Sequence, residues 1–146
     1  MAEQTLTVKI RNAQEGDLER IKEIDLELAG PDRALSWPLR VETHWWVNRP
    51  RLNFVAEVNG QVVGFLLGDI RGSEYGSLIS GWIDVMGVSP DYQGRGIGRK
   101  LVEAFSDACS RNGAAVRVVI RDDDARLKAF WEALNFNTGK LVIYER

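Results

Sequence analysis

Two short apolar runs bracket a glycine-rich turn and an amphipathic segment, and this arrangement narrows the fold more than any other feature of the chain. The first run, Trp82 to Val88 (WIDVMGV), is nearly continuously apolar, as expected of a central strand buried on both faces. The second, Val116 to Ile120, is a β-branched run that reads as another buried strand. Between them Ile97, Leu101, Phe105 and Ala108 recur at helical spacing, with Val102 and Cys109 beside them. This predicts a long helix that runs to about Arg111 and stops at Asn112-Gly113. Strand, helix and strand in that order predict a parallel β–α–β crossover from Trp82 to Ile120.

Elements of other kinds surround this unit. Thr7 to Arg11 alternates apolar and polar side chains, which predicts a half-buried strand ending near Asn12. Gly16-Asp17 offers an N-cap to a helix carrying Leu18, Ile21, Ile24 and Leu28, and Gly30-Pro31 stops it. Arg33 to Pro38 reads as a loop, and Val41 to Val47 as a short Trp-rich helical stretch closed by Pro50. Phe54–Val58 and Val62–Ile70 flank Asn59-Gly60, the strongest short hairpin signal because both central residues of such a turn need positive φ. Arg71 to Gly81, rich in Gly and Ser, reads as a loop or frayed strand edge. Leu127, Phe130, Trp131 and Leu134 mark a last helix, begun by Asp122-Asp123-Asp124 and ended by Asn135, and Lys140 to Tyr144 reads as a final strand. The expected fold class is α/β: a three-layer α/β/α arrangement around a mixed sheet, antiparallel early and parallel late.

Composition limits what such a fold can be doing. A chain of 146 residues has the length of one domain, read here over residues 1–146. Its net charge of −2 and pI near 5.5 argue against nonspecific affinity for nucleic acid. One Cys and one His provide neither an internal disulfide nor a thiol or imidazole metal site, so no metal is expected. No window approaches the roughly 20 apolar residues of a membrane span, and the N-terminal stretch lacks a signal-peptide core. A cytoplasmic protein without a membrane partner is the expectation.

The turn itself reads Val88-Ser89-Pro90-Asp91-Tyr92-Gln93-Gly94-Arg95-Gly96-Ile97-Gly98-Arg99-Lys100. Glycines at alternate positions let backbone approach a ligand, and the N–H groups of the following helix's first turn favour an anion, aided by Arg95, Arg99 and Lys100. A nucleotide P-loop needs Gly where Arg99 stands and a Ser or Thr after Lys100; a dinucleotide fingerprint also needs Gly at Arg99. Gln93, Gly96 and Gly98 instead satisfy Q-x-x-G-x-G. The segment resembles the acetyl-CoA pyrophosphate loop of the GCN5-related N-acetyltransferases, the GNAT family. The resemblance extends in order from about Val8 to Phe136: VKIRNAQEGDLERIKEIDLEL is similar to the family's first strand and helix, FVAEVNGQVVGFLLGDI to its hairpin, and AFWEALNF to its closing helix motif.

What the resemblance implies is a splay between the two parallel strands, with acetyl-CoA as co-substrate lying in the gap. Its pantetheine would pair with the backbone of Met86, Gly87 and Val88, and its pyrophosphate would sit on Gln93, Gly94, Arg95, Gly96, Ile97, Gly98 and Arg99. The reaction would be acetyl transfer to a primary amine, of a protein, peptide or small molecule, by direct attack. Three departures from the family pattern matter. Trp131 stands where many members have a Tyr that acts as acid; it either keeps a place beside the cofactor or joins Leu127, Phe130 and Leu134 in the core. An indole cannot release a proton at usable pH, which leaves Tyr144 and Tyr75 as candidate acids. Val119 occupies a place where members often have a Glu base, which leaves Asp84, expected on the face of Met86 and Val88 with a raised pKa, or an ordered water. Lastly, one strand after Phe136 replaces the usual two. An open acceptor side follows, walled in part by the loop Gly30–Pro38 with Asp32, Arg33 and Trp37, and a homodimer is admitted.

Other residues carry plainer readings. His44 reads as packing, Cys109 as an inert core thiol, and the Asp122–Asp124 run as helix capping and dipole pairing, with attraction of a cationic acceptor as the minor option. The alternative to an enzyme is a non-catalytic acyl-CoA-binding or regulatory module of the same fold, motivated by the missing Tyr and Glu.

Overall fold

The computed structural model describes residues 6–30, 41, 44, 45, 52–72 and 79–146. The expectations placed on Arg33–Pro38, on Tyr75 and on most of 41–47 lie outside the described residues. Among the described residues, five strands make one sheet in sequence order: β1 (Val8–Asn12), β2 (Phe54–Val58), β3 (Gln61–Arg71), β4 (Ser80–Val88) and β5 (Ala115–Val118). The first four are antiparallel neighbours, and β5 joins β4 in parallel through the predicted crossover. The β2–β3 hairpin turns at Asn59-Gly60 with φ of 51° and 76°, the two positive values that selected this dipeptide.

Helices cover both faces. α1 (Leu18–Ala29) places Ile21 and Ile24 against Val55, Phe65 and Leu67, and the helical residues Val41 and Trp45 join them. On the other face α2 (Ile97–Arg111) sets Leu101 and Phe105 against Leu66 and Ile83, and α3 (Ala125–Ala133) adds Trp131. Each such side chain removed from water contributes roughly 1.5–3 kcal/mol, which is why both helices carry one apolar stripe. α2 can lie close to the sheet only because Gly68 and Gly81 have no side chain. A Cβ on Gly68 would overlap the Phe105 ring, and one on Gly81 the Cys109 sulfur. Among the described residues, no helix is long and apolar enough to cross a membrane.

Four expectations change. The strand buried on both faces is β3, whose residues from Val62 to Leu67 are all buried, whereas most of β4 is half-buried. The reason is that β4 has β3 along its whole length but β5 along only part of it. Arg71, Ser80 and Gly81 belong to strands rather than to a loop, because Arg71 pairs with Ser80 and Ile70 with Gly81. β5 ends at Val118, not Ile120, and Val119 is exposed. Lys140–Tyr144 forms no strand: its residues have strand-forming side chains, but no neighbouring strand pairs with them, and Leu141, Val142, Ile143 and Tyr144 are exposed.

Candidate functional site

The parallel ladder between β4 and β5 runs from Ser80 with Ala115 to Ile83 with Val118 and stops there. Asp84 is the first residue beyond it. From this fork onward Met86, Gly87 and Val88 pair with Leu66, Phe65 and Gly64 of β3 on one side, and among the described residues no strand pairs with them on the other. The expected splay is therefore present, with a strip of β4 backbone open to a ligand. β4 leads through Ser89, whose N–H donates to Val63 O at 2.8 Å, into a 3₁₀ turn at Pro90–Tyr92. The side chain of Gln93 donates from Nε2 to Val88 O at 3.0 Å and so ties the loop back to the strand end. Gly94 and Gly96 take φ of 75° and 79°, left-handed values that only glycine adopts without strain, and a Cβ on either would meet nothing within 4 Å. Gly96 caps α2, and among the described residues no side-chain cap hydrogen bond is made there. The N–H groups of Ile97, Gly98 and Arg99 thus form a bare, positively polarised helix start, with Arg95 held 5.6 Å over the Tyr92 ring beside it.

Asp84 lies on a different face from the one its sequence spacing implies. Leu67 pairs with Val85 and Gly68 with Ile83, so β4 carries one extra residue, a bulge at Asp84. The bulge resets the alternation. Ile83, Met86 and Val88 pack toward α2, while Val85 packs toward α1 and Gly87 faces Leu28. Asp84 turns to the α1 side. The carboxylate is not isolated in an apolar run: Arg71 Nη2 donates to Oδ1 at 3.0 Å and to Oδ2 at 2.9 Å, and His44 Nδ1 lies 3.6 Å from Oδ2. Behind His44, Nε2 is 3.2 Å from Oδ1 of the fully buried Asn53, which also accepts the Gly68 N–H at 3.2 Å. The guanidiniums of Arg71 and Arg117 each lie 5.9 Å from the Trp82 ring, so cationic and aromatic groups border the same face.

The remaining candidates separate by environment. Trp131 is buried in the core between Phe130, at 5.0 Å and 80°, and Phe136, at 4.9 Å and 60°, and its Nε1–H has no hydrogen-bond partner among the described residues. An unmet buried donor costs about 1–3 kcal/mol. Tyr144 is 95% exposed. Asp124 caps α3 by accepting the Leu127 N–H at 2.9 Å, Asp122 pairs with Lys128, and Asp123 with Arg121. Burial pushes the Cys109 thiol up to about 11, which leaves it inert at neutral pH. Among the described residues, no group of three or more His, Cys, Asp or Glu could hold a metal ion.

Sequence reasoning passed over Arg71 and Asn53. Arg71 stood in what read as a loop, and Asn53 has no motif; its one signal is a buried amide immediately before an apolar strand.

The model of the acetyltransferase (GNAT) family matches residues 18–136. The chain belongs to this family. An acetyltransferase of Pectobacterium atrosepticum is 32% identical over 107 residues, 66% of this chain and 70% of that protein. One of Yersinia pseudotuberculosis is 32% identical over 98 residues, 64% of this chain and 63% of that protein, so the chain spans about two-thirds of the length of these relatives. Among solved structures, the aminoglycoside N-acetyltransferase AAC(6')-Iy in complex with CoA superposes with a TM-score of 0.81 at 18% identity, covering 100% of this chain and 98% of that one. That likeness is one of fold.

Proposed function

We propose that this GNAT chain transfers the acetyl group of acetyl-CoA to a primary amine by direct attack of the amine. The observation that carries the reading is the meeting, at one fork, of an open strip of β4 backbone, a bare helix start and a carboxylate. The residues present fit the co-substrate. Gly94 and Gly96 leave open space before α2, the N–H groups of Ile97, Gly98 and Arg99 suit a pyrophosphate, and Trp131 holds a buried donor that meets no partner among the described residues. Acetyl-CoA supplies an activated thioester when bound. Met86, Gly87 and Val88 orient the pantetheine by their free main-chain groups, Gln93 holds the loop, and Arg95 and Arg99 add positive charge. Asp84 takes the amine proton directly or through a water. A thiol of ordinary pKa, about 8.5, leaves as thiolate without much help, which accommodates Trp131 in place of a Tyr.

Calorimetry with CoA tests the binding half, and thiol release across an amine library tests turnover. Asp84→Asn should lower kcat by about 10²–10⁴-fold with CoA affinity little changed. Unchanged kcat sinks the assignment of Asp84. The burial of Trp131 in the core favours a second reading, a non-catalytic acyl-CoA-binding module, which predicts CoA affinity with no thiol release from any amine. The acceptor side of the reading includes a homodimer, supported by the outer edge of β5, unpaired among the described residues, and by the exposed apolar residues 141–144.

A further inference from the structure

Strand alternation sorts the side chains beside the fork onto two faces. Gly81 faces Phe105 and Cys109 of α2, and Ile70, Ile83, Val116 and Val118 pack into the same core. Trp82 lies between Gly81 and Ile83, so its indole takes the opposite face, the one that α1 covers further along β4. Residues paired in register share a face. Trp82 pairs with Asp69 of β3 and Arg117 of β5, and Arg71 pairs with Ser80, two residues before Trp82. Asp69, Arg71 and Arg117 therefore stand on the Trp82 side of the sheet, and the guanidiniums of both arginines reach its ring at 5.9 Å from the centroid.

The two cations differ in what they hold. Arg71 donates from Nη2 to both oxygens of Asp84, so its charge is offset by that carboxylate. Arg117 is half-buried, and among the described residues it makes no ion pair and no hydrogen bond. An aromatic ring attracts a guanidinium through its π face but does not satisfy the fork of N–H donors, which is left to a ligand. Asp69 and Asp84 are the only carboxylates in β3, β4 and β5. Asp84 belongs to Arg71, and Asp69 stands two strands from Arg117, about 10 Å by strand spacing, with Trp82 between them.

Position gives this charge a use. Arg117 immediately precedes Val118, the last ladder residue before the fork, and Asp84 lies two residues past the partner of Arg117, roughly 6–7 Å along the strand. Met86, Val88 and the bare start of α2 lie on the other face. An amine that meets the thioester from the Asp84 side therefore comes in over Trp82 and Arg117.

We propose that Arg117 binds the acceptor, and that the acceptor is a small primary amine carrying a carboxylate, its amine at Asp84 and its carboxylate on the Arg117 fork. The inference rests on the reading of the chain as an N-acetyltransferase and names the substrate class of that site. A carboxylate matches the planar guanidinium with two parallel hydrogen bonds, which a lone point charge would not do. Its single negative charge also suits a face that already holds Asp69 and Asp84, where a dianion would be repelled.

The test compares ω-amino acids of graded length with alkylamines and diamines of the same lengths. In the unmodified chain kcat/KM should favour the amino carboxylate by about tenfold or more over both partners of its length. Equal values for the three classes overturn the proposal and leave the acetyltransferase reading standing. Arg117→Gln should bring the ratio close to one, chiefly by raising KM for the amino carboxylate, and Arg117→Glu should put the diamine first. A preference that survives both substitutions overturns the role of Arg117. A second measurement needs no variant and no turnover. With CoA saturating and no acetyl group to transfer, the Arg117 Nε–H resonance should move on titration with the preferred ω-amino acid and stay still with the matching alkylamine. No movement, or a movement produced by CoA alone, overturns the proposal. A chain that acetylates no amine fails the parent reading, and the titration still decides whether Arg117 is a carboxylate site.

Discussion

At the scale of single residues, Asp17 shows a carboxylate held by more than one donor. Arg11 donates from Nη1 at 2.7 Å and Nη2 at 2.9 Å, the Gln14 N–H donates at 2.7 Å, and Glu57 holds the same guanidinium from the other side at 3.1 Å. The Arg11 guanidinium holds the Asp17 carboxyl below its ordinary value of 3.8, outweighing the opposite effect of burial. A carboxyl whose folded pKa is depressed contributes stability that is present above the unfolded value and lost as pH falls through the folded one. Asp17→Asn should therefore cost about 1–2 kcal/mol at pH 7, and the gap from the parent chain should close as pH drops below 3.8. Urea unfolding at neutral and acid pH measures both; a gap that is the same at the two pH values rules out the ion pair as its source. Asp17 was legible in the sequence as a helix-start residue. Its partner Arg11 was legible only as a polar position on a strand, because the distance between strand end and helix start is not written in either segment.

Elements were legible where their signal is periodic and illegible where the backbone departs from the period. The stripe of α2, the Asn59-Gly60 turn and the crossover to β5 follow from spacing and turn chemistry. The bulge in β4 does not, since WIDVMGV reads equally well as an unbroken strand, and one extra residue was enough to move Asp84 from the α2 side to the His44 side. The fork was inherited from the resemblance, and its position between Ile83 and Asp84 became visible only in the ladder. The glycines offer a test at the same scale. Gly96 holds φ of 79° at the start of α2 with open space around it, so Gly96→Ala introduces backbone strain without a clash. It should cost about 1 kcal/mol of stability. Gly16, in the 3₁₀ turn Glu15–Asp17, also has open space but no left-handed φ, and Gly16→Ala should be neutral or stabilising by up to about 1 kcal/mol. Thermal unfolding of the two variants side by side checks the contrast, and equal losses would show that the conformation at Gly96 is not what the glycine is for.

The whole molecule leaves one edge of the sheet unresolved by its own chain. A sheet in the order β1-β2-β3-β4-β5 has two outer strands, and among the described residues β5 presents its outer N–H and C=O groups with no strand against them. The same chain carries Leu141, Val142, Ile143 and Tyr144 at 47%, 74%, 67% and 95% exposure, a β-branched and aromatic run with the composition of a strand and no ladder. An open edge and an unpaired strand-former on each copy are complementary under a two-fold axis, because what one protomer offers the other accepts. Association should therefore bring residues 141–144 of one protomer onto β5 of its partner, wall the fork from the outside, and protect those amides from hydrogen exchange. Light scattering over rising protein concentration should pass from one chain mass to two. Ile143→Lys should hold the lower mass while leaving the melting temperature of the monomer unchanged, since Ile143 is already two-thirds exposed and contributes little to the core. A parent chain that stays at one mass throughout, with amides 141–144 exchanging freely, would mean that the edge of β5 is closed in some other way.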